Sequence, residues 1–187
     1  MKTLPFNSFP ILATERLLLR SFQLSDAPSI YELRTDKAVM KYMDSDDHAS
    51  QEESERFVQN NINAYEKGDG VFWVIEDKVS KQFIGDVSFW KLDKHNSRGE
   101  IGYILLPAFW GKGLMHEALQ AVLHFGFDAM DLHSVEANIN PENEPSRKLL
   151  LKLGFVKEAY FRENYFYNGH YLDSEIYSLL AGDLMSF

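Results

Sequence analysis

Hydrophobic and polar residues recur along the chain with two different periods, and these periods divide it into strands and helices. The apolar run from Ile11 to Phe22 predicts a first strand, after which Ser25 and Asp26 offer side-chain oxygens that favour a helix start. A second helix is predicted from Ser50, with apolar residues on one side. The acidic segment from Thr35 to Gln51 indicates a loop or a broken helix.

Three strand-like runs follow, at Val71 to Glu76, Phe83 to Leu92 and Gly99 to Leu106. Short polar segments separate them, and this spacing is typical of an antiparallel meander. Aromatic residues in these runs follow the strand period, and we expect them to pack mainly in the core.

The remaining sequence predicts a parallel crossover. A long helix from Lys112 to Met130 leads into a strand from His133 to Ile139, so strand, helix and strand form a parallel unit within an otherwise antiparallel sheet. A short helix from Asn143 to Leu153 and two closing strands, Phe155 to Phe161 and Tyr171 to Leu180, complete the chain. The pattern therefore predicts a mixed α/β (α+β) fold, with residues 1–187 forming a single domain.

Composition excludes several classes of protein. Acidic residues number 28 and basic residues 19, which gives a net charge of −9 and argues against direct binding of nucleic acid. The chain has no cysteine, which excludes a disulfide scaffold, cysteine-ligated zinc and a thiol nucleophile. Apolar runs fall far short of the roughly 20 residues that span a membrane, and no signal peptide is apparent. We therefore expect a cytoplasmic protein without a membrane partner.

The stretch from Ile101 to Leu119 carries the clearest chemical signal. A buried strand passes through Pro107 into the sequence W-G-K-G-L-M and then directly into a helix. Glycines at 111 and 113 permit backbone conformations that a side chain disfavours, and the first amides of a helix lack internal partners. Such a turn can bind a pyrophosphate. A glycine-bearing turn without any ligand is the alternative, since the sequence has neither the G-x-G-x-x-G fingerprint nor a Walker A loop.

This turn resembles the acyl-CoA-binding motif of the GNAT superfamily of N-acetyltransferases, Q/R-x-x-G-x-G/A. Trp110 stands in place of the usual Gln or Arg and Met115 in place of the final Gly or Ala, as in the branch that contains the ribosomal-protein N-terminal acetyltransferases. Further segments resemble that branch in order along the chain: TERLLLR from Thr14, F-I-G from Phe83, E-I-G-Y from Glu100, N-x-x-S from Asn143, K-L-G-F from Lys152 and G-x-x-x-D-x-x-x-Y from Gly169.

The resemblance implies a GNAT-like sheet with helices on both faces and acetyl-CoA as cosubstrate, with no metal. The pantetheine arm is expected to pair with the backbone of Ile104, Leu105 and Leu106. The pyrophosphate is expected on the segment formed by Trp110, Gly111, Lys112, Gly113, Leu114 and Met115. Asn143 matches the asparagine that contacts CoA in the family. A helix N-cap also favours asparagine, and both roles can hold.

Two residues are candidates for catalysis. Glu100 is the expected proton acceptor for the amine, with a solvent-exposed glutamate at a strand edge as the alternative. Ser146 is the expected proton donor to the departing thiolate, or a residue that only orients the sulfur. Many relatives place a tyrosine four residues after this serine, where this chain has Leu150.

The resemblance implies direct transfer of an acetyl group from acetyl-CoA to a primary amine. An N-terminal α-amine of a protein, of the ribosomal-protein alanine type, is the expected acceptor. A small-molecule amine (an antibiotic, a polyamine or an amino acid) and a non-catalytic CoA-binding regulator are the alternatives. The sequence leaves the oligomeric state open, a homodimer included.

Overall fold

A single mixed sheet organises the molecule, for which a computed structural model describes residues 1–2, 6 and 8–184. The described residues form eight strands: β1 (Leu12–Ala13), β2 (Leu17–Ser21), β3 (Val71–Asp77), β4 (Phe83–Asp93), β5 (Arg98–Leu105), β6 (Ser134–Ile139), β7 (Val156–Tyr167) and β8 (His170–Leu180). Their order across the sheet is β1-β2-β3-β4-β5-β6-β8-β7. Among these strands only β5 and β6 pair in parallel, which confirms the predicted fold class.

The described α-helices are α1 (Ala27–Thr35), α2 (Lys37–Met40), α3 (Gln51–Lys67), α4 (Leu114–His124) and α5 (Glu144–Lys152). Local chemistry explains their ends. The Asp36 side chain accepts hydrogen bonds from the first amides of α2, and the Ser50 hydroxyl accepts one from Glu53 N at the start of α3. Gly68 ends α3 in the left-handed conformation that glycine adopts without strain.

Several predicted boundaries were wrong, including the end of the first closing strand, which lies at Tyr167 and not at Phe161. The run from Ile11 to Phe22 is two strands, because a tight turn in which Thr14 N donates to Leu17 O folds β1 back on β2. The helix predicted from Lys112 to Met130 begins at Leu114 and ends at His124, where a π-helical turn, Phe125–Ala129, takes over. Apolar periodicity continues through this turn, so the pattern alone did not show where the helix ended.

Helices cover the two faces of the sheet and divide the core into two parts. On the face covered by α1 and α3, hereafter the α1/α3 face, the core includes Ile30, Leu33, Val58, Val74 and Ile104. On the opposite face, hereafter the α4/α5 face, it includes Trp73, Phe89, Ile101, Leu119 and Leu150. Side chains of successive residues in a strand point to opposite faces, so β4 and β5 contribute to both cores.

A gap opens between the two parallel strands. β5 and β6 pair only at Arg98–Ser134, Gly99–Val135 and Glu100–Glu136. Beyond these pairs, β5 stays on β4 up to Leu105 and β6 stays on β8 up to Ile139, so the strands separate. No helix among the described residues is long and apolar enough to cross a membrane.

Candidate active site

A cavity of about 650 Å³ lies at the gap between β5 and β6. It brings together four of the residues singled out in the sequence: Glu100, Ile104, Asn143 and Ser146. Residues 105–115, which include the other eight, lie outside its lining, at the end of β5 and along the turn into α4. The predicted catalytic residues therefore share one cavity, and the predicted pyrophosphate segment adjoins the strand that forms its wall.

On the α4/α5 face of the gap, the phenol of Tyr103 and the hydroxyl of Ser146 form a hydrogen bond of 2.7 Å. Ser146 is buried in the first turn of α5, and Tyr103 extends from β5. Burial raises the pKa of Tyr103 to about 12, so the phenol keeps its proton at neutral pH. Many relatives have a tyrosine where this chain has Leu150, whose side chain is fully buried in the core. In this chain Tyr103, on β5, places a phenol next to Ser146 instead.

Asn143 caps the helix that carries this serine. Its side-chain oxygen accepts a hydrogen bond of 3.1 Å from Ser146 N, which satisfies one of the free amides at the start of α5. The capping role is therefore present in the structure. Contact between Asn143 and CoA stays a prediction, although the residue is half-buried and lines the cavity.

Two carboxylates reach the cavity from the sheet strands. Glu100 lies where β5 and β6 still pair, and its carboxylate is 3.6 Å from Lys91 Nζ. Burial raises the pKa of Glu100 above its usual value, against the opposing effect of Lys91. Asp86 on β4 is 7% exposed, and burial raises its pKa to about 6, although Arg34 on α1 opposes that shift from 3.8 Å away.

The charges around the cavity favour a cation. Among the described residues that line it, Asp44, Asp86 and Glu100 carry carboxylates and Arg34 alone carries a guanidinium. Asp44 belongs to the acidic segment that the sequence showed before α3, and it accepts a hydrogen bond from the Tyr165 phenol. Part of that segment therefore faces the cavity, where it can attract a protonated amine.

The turn from β5 into α4 has the conformation that its glycines predict. Gly111 and Gly113 have φ angles of 71° and 75°, in the left-handed region. A Cβ added to Gly111 would meet no atom of the described residues within 4 Å, so this side of the turn is open. Gly113 is the N-cap of α4 and provides no side-chain hydrogen bond to the helix amides. The side chains of Leu114 and Met115 are buried in the core, so these two residues can serve a ligand only through their backbone.

A hydrogen bond made by Trp110 accounts for a tryptophan where the usual motif has Gln or Arg. Its indole N–H donates a hydrogen bond of 2.7 Å to the carbonyl of Leu105 at the end of β5. Leu106 N donates to Ile84 O on β4, and the alternation of a strand then directs the N–H and C=O of Leu105 to the opposite side, towards the gap. The indole therefore satisfies the carbonyl and leaves the Leu105 amide directed at the gap.

Arg16 supports the same turn, a role that the sequence analysis did not identify. Its guanidinium donates a 3.0 Å hydrogen bond to the carbonyl of Lys112 and a 2.6 Å hydrogen bond to the Glu117 carboxylate on α4. Lys112 is itself exposed, with Nζ 5.3 Å from the centre of the Phe109 ring. Two cationic side chains thus lie beside the turn.

Comparison with known proteins decides the family. The model of the acetyltransferase (GNAT) domain matches residues 16–156. The chain belongs to the GNAT acetyltransferase family. A relative from Bacillus subtilis (strain 168), called the uncharacterized N-acetyltransferase YoaA, is 34% identical over 172 residues, which cover 92% of this chain and 97% of the relative.

Solved structures of GNAT proteins share the whole fold. A ribosomal-protein-S5-alanine acetyltransferase from Vibrio fischeri has a TM-score of 0.83 at 26% identity and covers 95% of this chain and 100% of its own. A spermidine N-acetyltransferase from Vibrio cholerae, in complex with CoA and spermine, has a TM-score of 0.80 at 26% identity and covers 90% and 97%. The resemblance seen in the sequence is confirmed, and this GNAT protein is an acetyl-CoA-dependent acyltransferase.

The residues present fit acetyl-CoA as cosubstrate. The uncapped start of α4, the open face of Gly111 and the nearby Arg16 and Lys112 suit a pyrophosphate. The gap next to Leu105 gives an extended arm access to strand backbone. No group of three or more His, Asp or Glu side chains that could hold a metal ion occurs in the part of the chain that the structure describes.

Sequence reasoning missed several residues of the cavity. Tyr103 was part of the E-I-G-Y segment but was given no role, and Arg34, Asn61 and Asp86 were not singled out. Asp86 did carry a signal, because it is a charged residue within the apolar run F-I-G-D-V-S-F-W and burial of a lone charge requires a reason. Arg34 carried none, since its contact with β4 depends on how α1 packs.

Proposed function

We propose that this GNAT protein acetylates the α-amine at the N-terminus of a peptide or protein, of the ribosomal-protein alanine type. The observation that carries the proposal is the two-sided gap between β5 and β6. The Tyr103–Ser146 pair lies on its α4/α5 face, and the carboxylates of Asp86 and Glu100 lie on its α1/α3 face. Groups that donate and accept protons thus flank one opening from opposite sides.

The turn and the strand hold the cosubstrate in this proposal. Backbone amides from Trp110 to Met115 bind the pyrophosphate, and the backbone from Ile104 to Leu106 lines the pantetheine arm. Acetyl-CoA supplies the acetyl group as a thioester, whose carbonyl carbon is open to attack by a neutral amine. The Leu105 amide is directed at the gap and stabilises negative charge on the carbonyl oxygen, which is often the largest contribution to such a reaction.

The side chains around the gap move the protons. A carboxylate on the α1/α3 face, Glu100 in the assignment made from sequence, accepts a proton from the acceptor amine. Ser146, hydrogen-bonded to Tyr103, donates a proton to the departing sulfur or orients it. The cavity walls hold the amine beside the gap, which removes much of the entropy cost of bringing two reactants together.

The acidity of the amine supports an α-amine over a lysine. An α-ammonium has a pKa of about 7.7–8.0 and a lysine ammonium one of about 10.4. A buried carboxylate with a pKa near 6, such as Asp86, deprotonates an α-ammonium more easily than a lysine ammonium, because its pKa lies closer to that of the α-ammonium. The names of relatives are consistent with this acceptor, since they include a ribosomal-protein-alanine acetyltransferase.

A polyamine is the second candidate acceptor, and one observation favours it. The described charges of the cavity are three carboxylates and one guanidinium, which suits a molecule with several positive charges. A related protein in the comparison carries the name spermidine N(1)-acetyltransferase at 28% identity over 160 residues.

An acceptor screen tests the proposal. Purified protein is mixed with acetyl-CoA and peptides that begin with Ala or Ser, spermidine or an aminoglycoside, and free thiol is measured as CoA is released. Turnover with Ala- or Ser-initiated peptides, at a kcat/KM at least tenfold above that of the other amines, supports the proposal. Exclusive turnover of spermidine or the aminoglycoside contradicts the peptide acceptor, and CoA binding without release of thiol from any amine favours the non-catalytic alternative.

A further inference from the structure

Unpaired polar atoms are concentrated on the α1/α3 face of the cavity. Within the part of the chain that the structure describes, Arg34 Nε, Asn61 Nδ2 and Asp86 Oδ2 are buried and have no hydrogen-bond partner. These residues come from α1, α3 and β4, and all three line the cavity. Native proteins pair most of their buried polar groups, because each unpaired one costs about 1–3 kcal/mol. Three of them in one cavity therefore point to a ligand that supplies the missing partners.

The chemistry of these atoms restricts the ligand. The Asp86 oxygen requires a hydrogen-bond donor, whereas the nitrogens of Arg34 and Asn61 require acceptors. An α-aminoacyl group offers both, since its ammonium and its carbonyl are on neighbouring carbon atoms. A polyamine in its charged form offers donors alone and would leave the two nitrogens unpaired.

We propose that Asp86, Arg34 and Asn61 form the acceptor subsite, in which Asp86 binds the α-ammonium and takes its proton while Arg34 and Asn61 bind the adjacent carbonyl. This inference rests on the proposed function, and it specifies the acceptor by its first carbonyl. It also assigns the proton acceptor to a residue other than Glu100.

The register of the sheet places Asp86 near the reacting atoms. Asp86 pairs with Ile104 across β4 and β5, next to the Leu105 amide that is directed at the gap. Glu100 is four residues away along β5, about 13 Å at roughly 3.3 Å per residue. It lies at the closed end of the gap, where β5 still pairs with β6. A carboxylate must come within hydrogen-bond reach of the proton it removes, and Asp86 meets that condition better.

Arg34 is held in place from two sides. Its guanidinium lies 4.7 Å from the centre of the Phe57 ring and 3.8 Å from Asp86 Oδ2, so the two buried charges compensate each other without a direct hydrogen bond. His48 lies behind it, with its backbone N–H donated to Arg34 O and its ring against Phe57. These contacts leave Arg34 Nε without a hydrogen-bond partner.

The transfer moves one acetyl group and releases two protons from the ammonium. The ammonium N–H bond breaks and its proton goes to the Asp86 carboxylate, which leaves a lone pair on nitrogen. That pair forms the N–C bond to the acetyl carbon while the C–S bond breaks and its electrons stay on sulfur. The second proton lost by nitrogen neutralises the thiolate, by way of the Ser146 and Tyr103 hydroxyls, and Asp86 returns the first proton to solvent.

The first experiment compares Asp86→Asn with Glu100→Gln. The readout is kcat/KM for an Ala-initiated peptide at saturating acetyl-CoA between pH 5 and 9, and Asp69→Asn, which changes an exposed carboxylate outside the cavity lining, is the matched control. We expect Asp86→Asn to lose at least about 100-fold at pH 7, the usual contribution of a general base, and to lose much more than Glu100→Gln. The loss should shrink above pH 8, where the amine is neutral by itself.

A change in the acceptor separates proton transfer from a structural effect. Trifluoroalanine at the peptide N-terminus lowers the pKa of the amine, so Asp86→Asn should lose much less activity with this peptide than with the alanine peptide. An equal loss with both peptides, or a loss in Glu100→Gln that exceeds the loss in Asp86→Asn, overturns the role of Asp86.

The second experiment tests the carbonyl. Alaninamide is compared with 3-methyl-2-aminobutane, in which an isopropyl group replaces the carboxamide, and both rates are expressed per neutral amine. We expect the wild type to prefer alaninamide at least tenfold and Arg34→Gln to abolish most of that preference, with CoA binding unchanged. A wild type without the preference overturns the carbonyl contact, whether or not the variant folds.

The two proposals fail in different ways. A wild type that releases no CoA with any amine contradicts the proposed function. An active wild type whose Asp86→Asn variant keeps the full rate at pH 7 contradicts only the acceptor subsite.

Discussion

The phenol of Tyr103 lies 2.7 Å from the hydroxyl of Ser146, so a side chain of β5 and one of α5 meet across the gap between the two parallel strands. Neither residue shows this relation in the sequence, where 43 positions separate them. The pair places a protonated phenol next to the serine that the family motif identifies. In this chain the phenol thus comes from the strand and not from α5.

We expect Tyr103→Phe and Ser146→Ala each to lower kcat about 10- to 100-fold, since a positioned proton donor typically contributes at least this much. The double variant should lose little beyond the worse single variant, because residues that act as a unit are not additive. Steady-state kinetics at saturating acetyl-CoA measure the effect, and calorimetry with CoA checks that binding persists. Losses that multiply in the double variant would show that the two hydroxyls act independently.

The turn glycines allow a test that separates backbone strain from ligand binding. Gly111 and Gly169 have φ angles of 71° and 83°, and a Cβ on either would meet no described atom within 4 Å. Gly111→Ala and Gly169→Ala should therefore destabilise the fold by the same amount, about 1 kcal/mol.

Only Gly111→Ala should weaken acetyl-CoA binding, by about tenfold or 1.4 kcal/mol, because its methyl group occupies the open face of the turn from β5 into α4. Chemical denaturation gives the stability and calorimetry the affinity. If Gly169→Ala weakened binding equally, the loss of affinity would reflect a general effect on the fold. It would then not support pyrophosphate binding at the turn.

The buried carboxylate of Asp86 should make stability depend on pH. Its pKa is about 6 in the folded protein and about 3.9 in the unfolded chain. Between these values the folded state keeps a proton that the unfolded state has lost, so the free energy of unfolding falls as pH rises. The shift of about 2 pKa units corresponds to up to about 3 kcal/mol.

Asp86→Asn removes this contribution. Relative to the wild type, the variant should therefore gain up to about 3 kcal/mol in stability between pH 4 and pH 7. Urea unfolding at the two pH values measures the difference. A difference that is the same at both would mean that the carboxyl group titrates normally.

Neighbouring leucines of α5 test the packing that holds Ser146 at the cavity. Leu150 is fully buried and Leu151 is 52% exposed. Leu150→Ala should cost about 2–5 kcal/mol through lost burial and a cavity, and Leu151→Ala less than about 0.5 kcal/mol. Thermal and urea unfolding of the pair measure this, and similar losses in both would indicate that α5 does not pack as described.

Local signals explain which parts of the fold could be predicted from sequence. Gly68 and Gly154 adopt the left-handed conformation at the ends of α3 and α5, and such ends can be predicted because left-handed residues there are rarely anything but glycine. The parallel unit was also predictable, since two parallel strands require a helical crossover between them. The break between β1 and β2 and the π-helical turn after His124 were not. The break spans only residues 14–16, and apolar residues continue through the π-helical turn.

Some parts of the site could be predicted from local sequence and others could not. The motif from Trp110 to Met115 and the N-x-x-S segment at Asn143 are contiguous in sequence, so their chemistry was readable there. The cavity is not contiguous: Arg34, Asn61 and Asp86 come from α1, α3 and β4. Their buried and unpaired state exists only after these elements pack.

The sequence by itself determined the family, the cosubstrate and the turn that suits its phosphates, because these depend on residues close together along the chain. The tertiary structure decided which hydroxyls and carboxylates face the gap between β5 and β6. Such contacts depend on strand register and helix packing, and both are set by the burial of side chains distant in sequence.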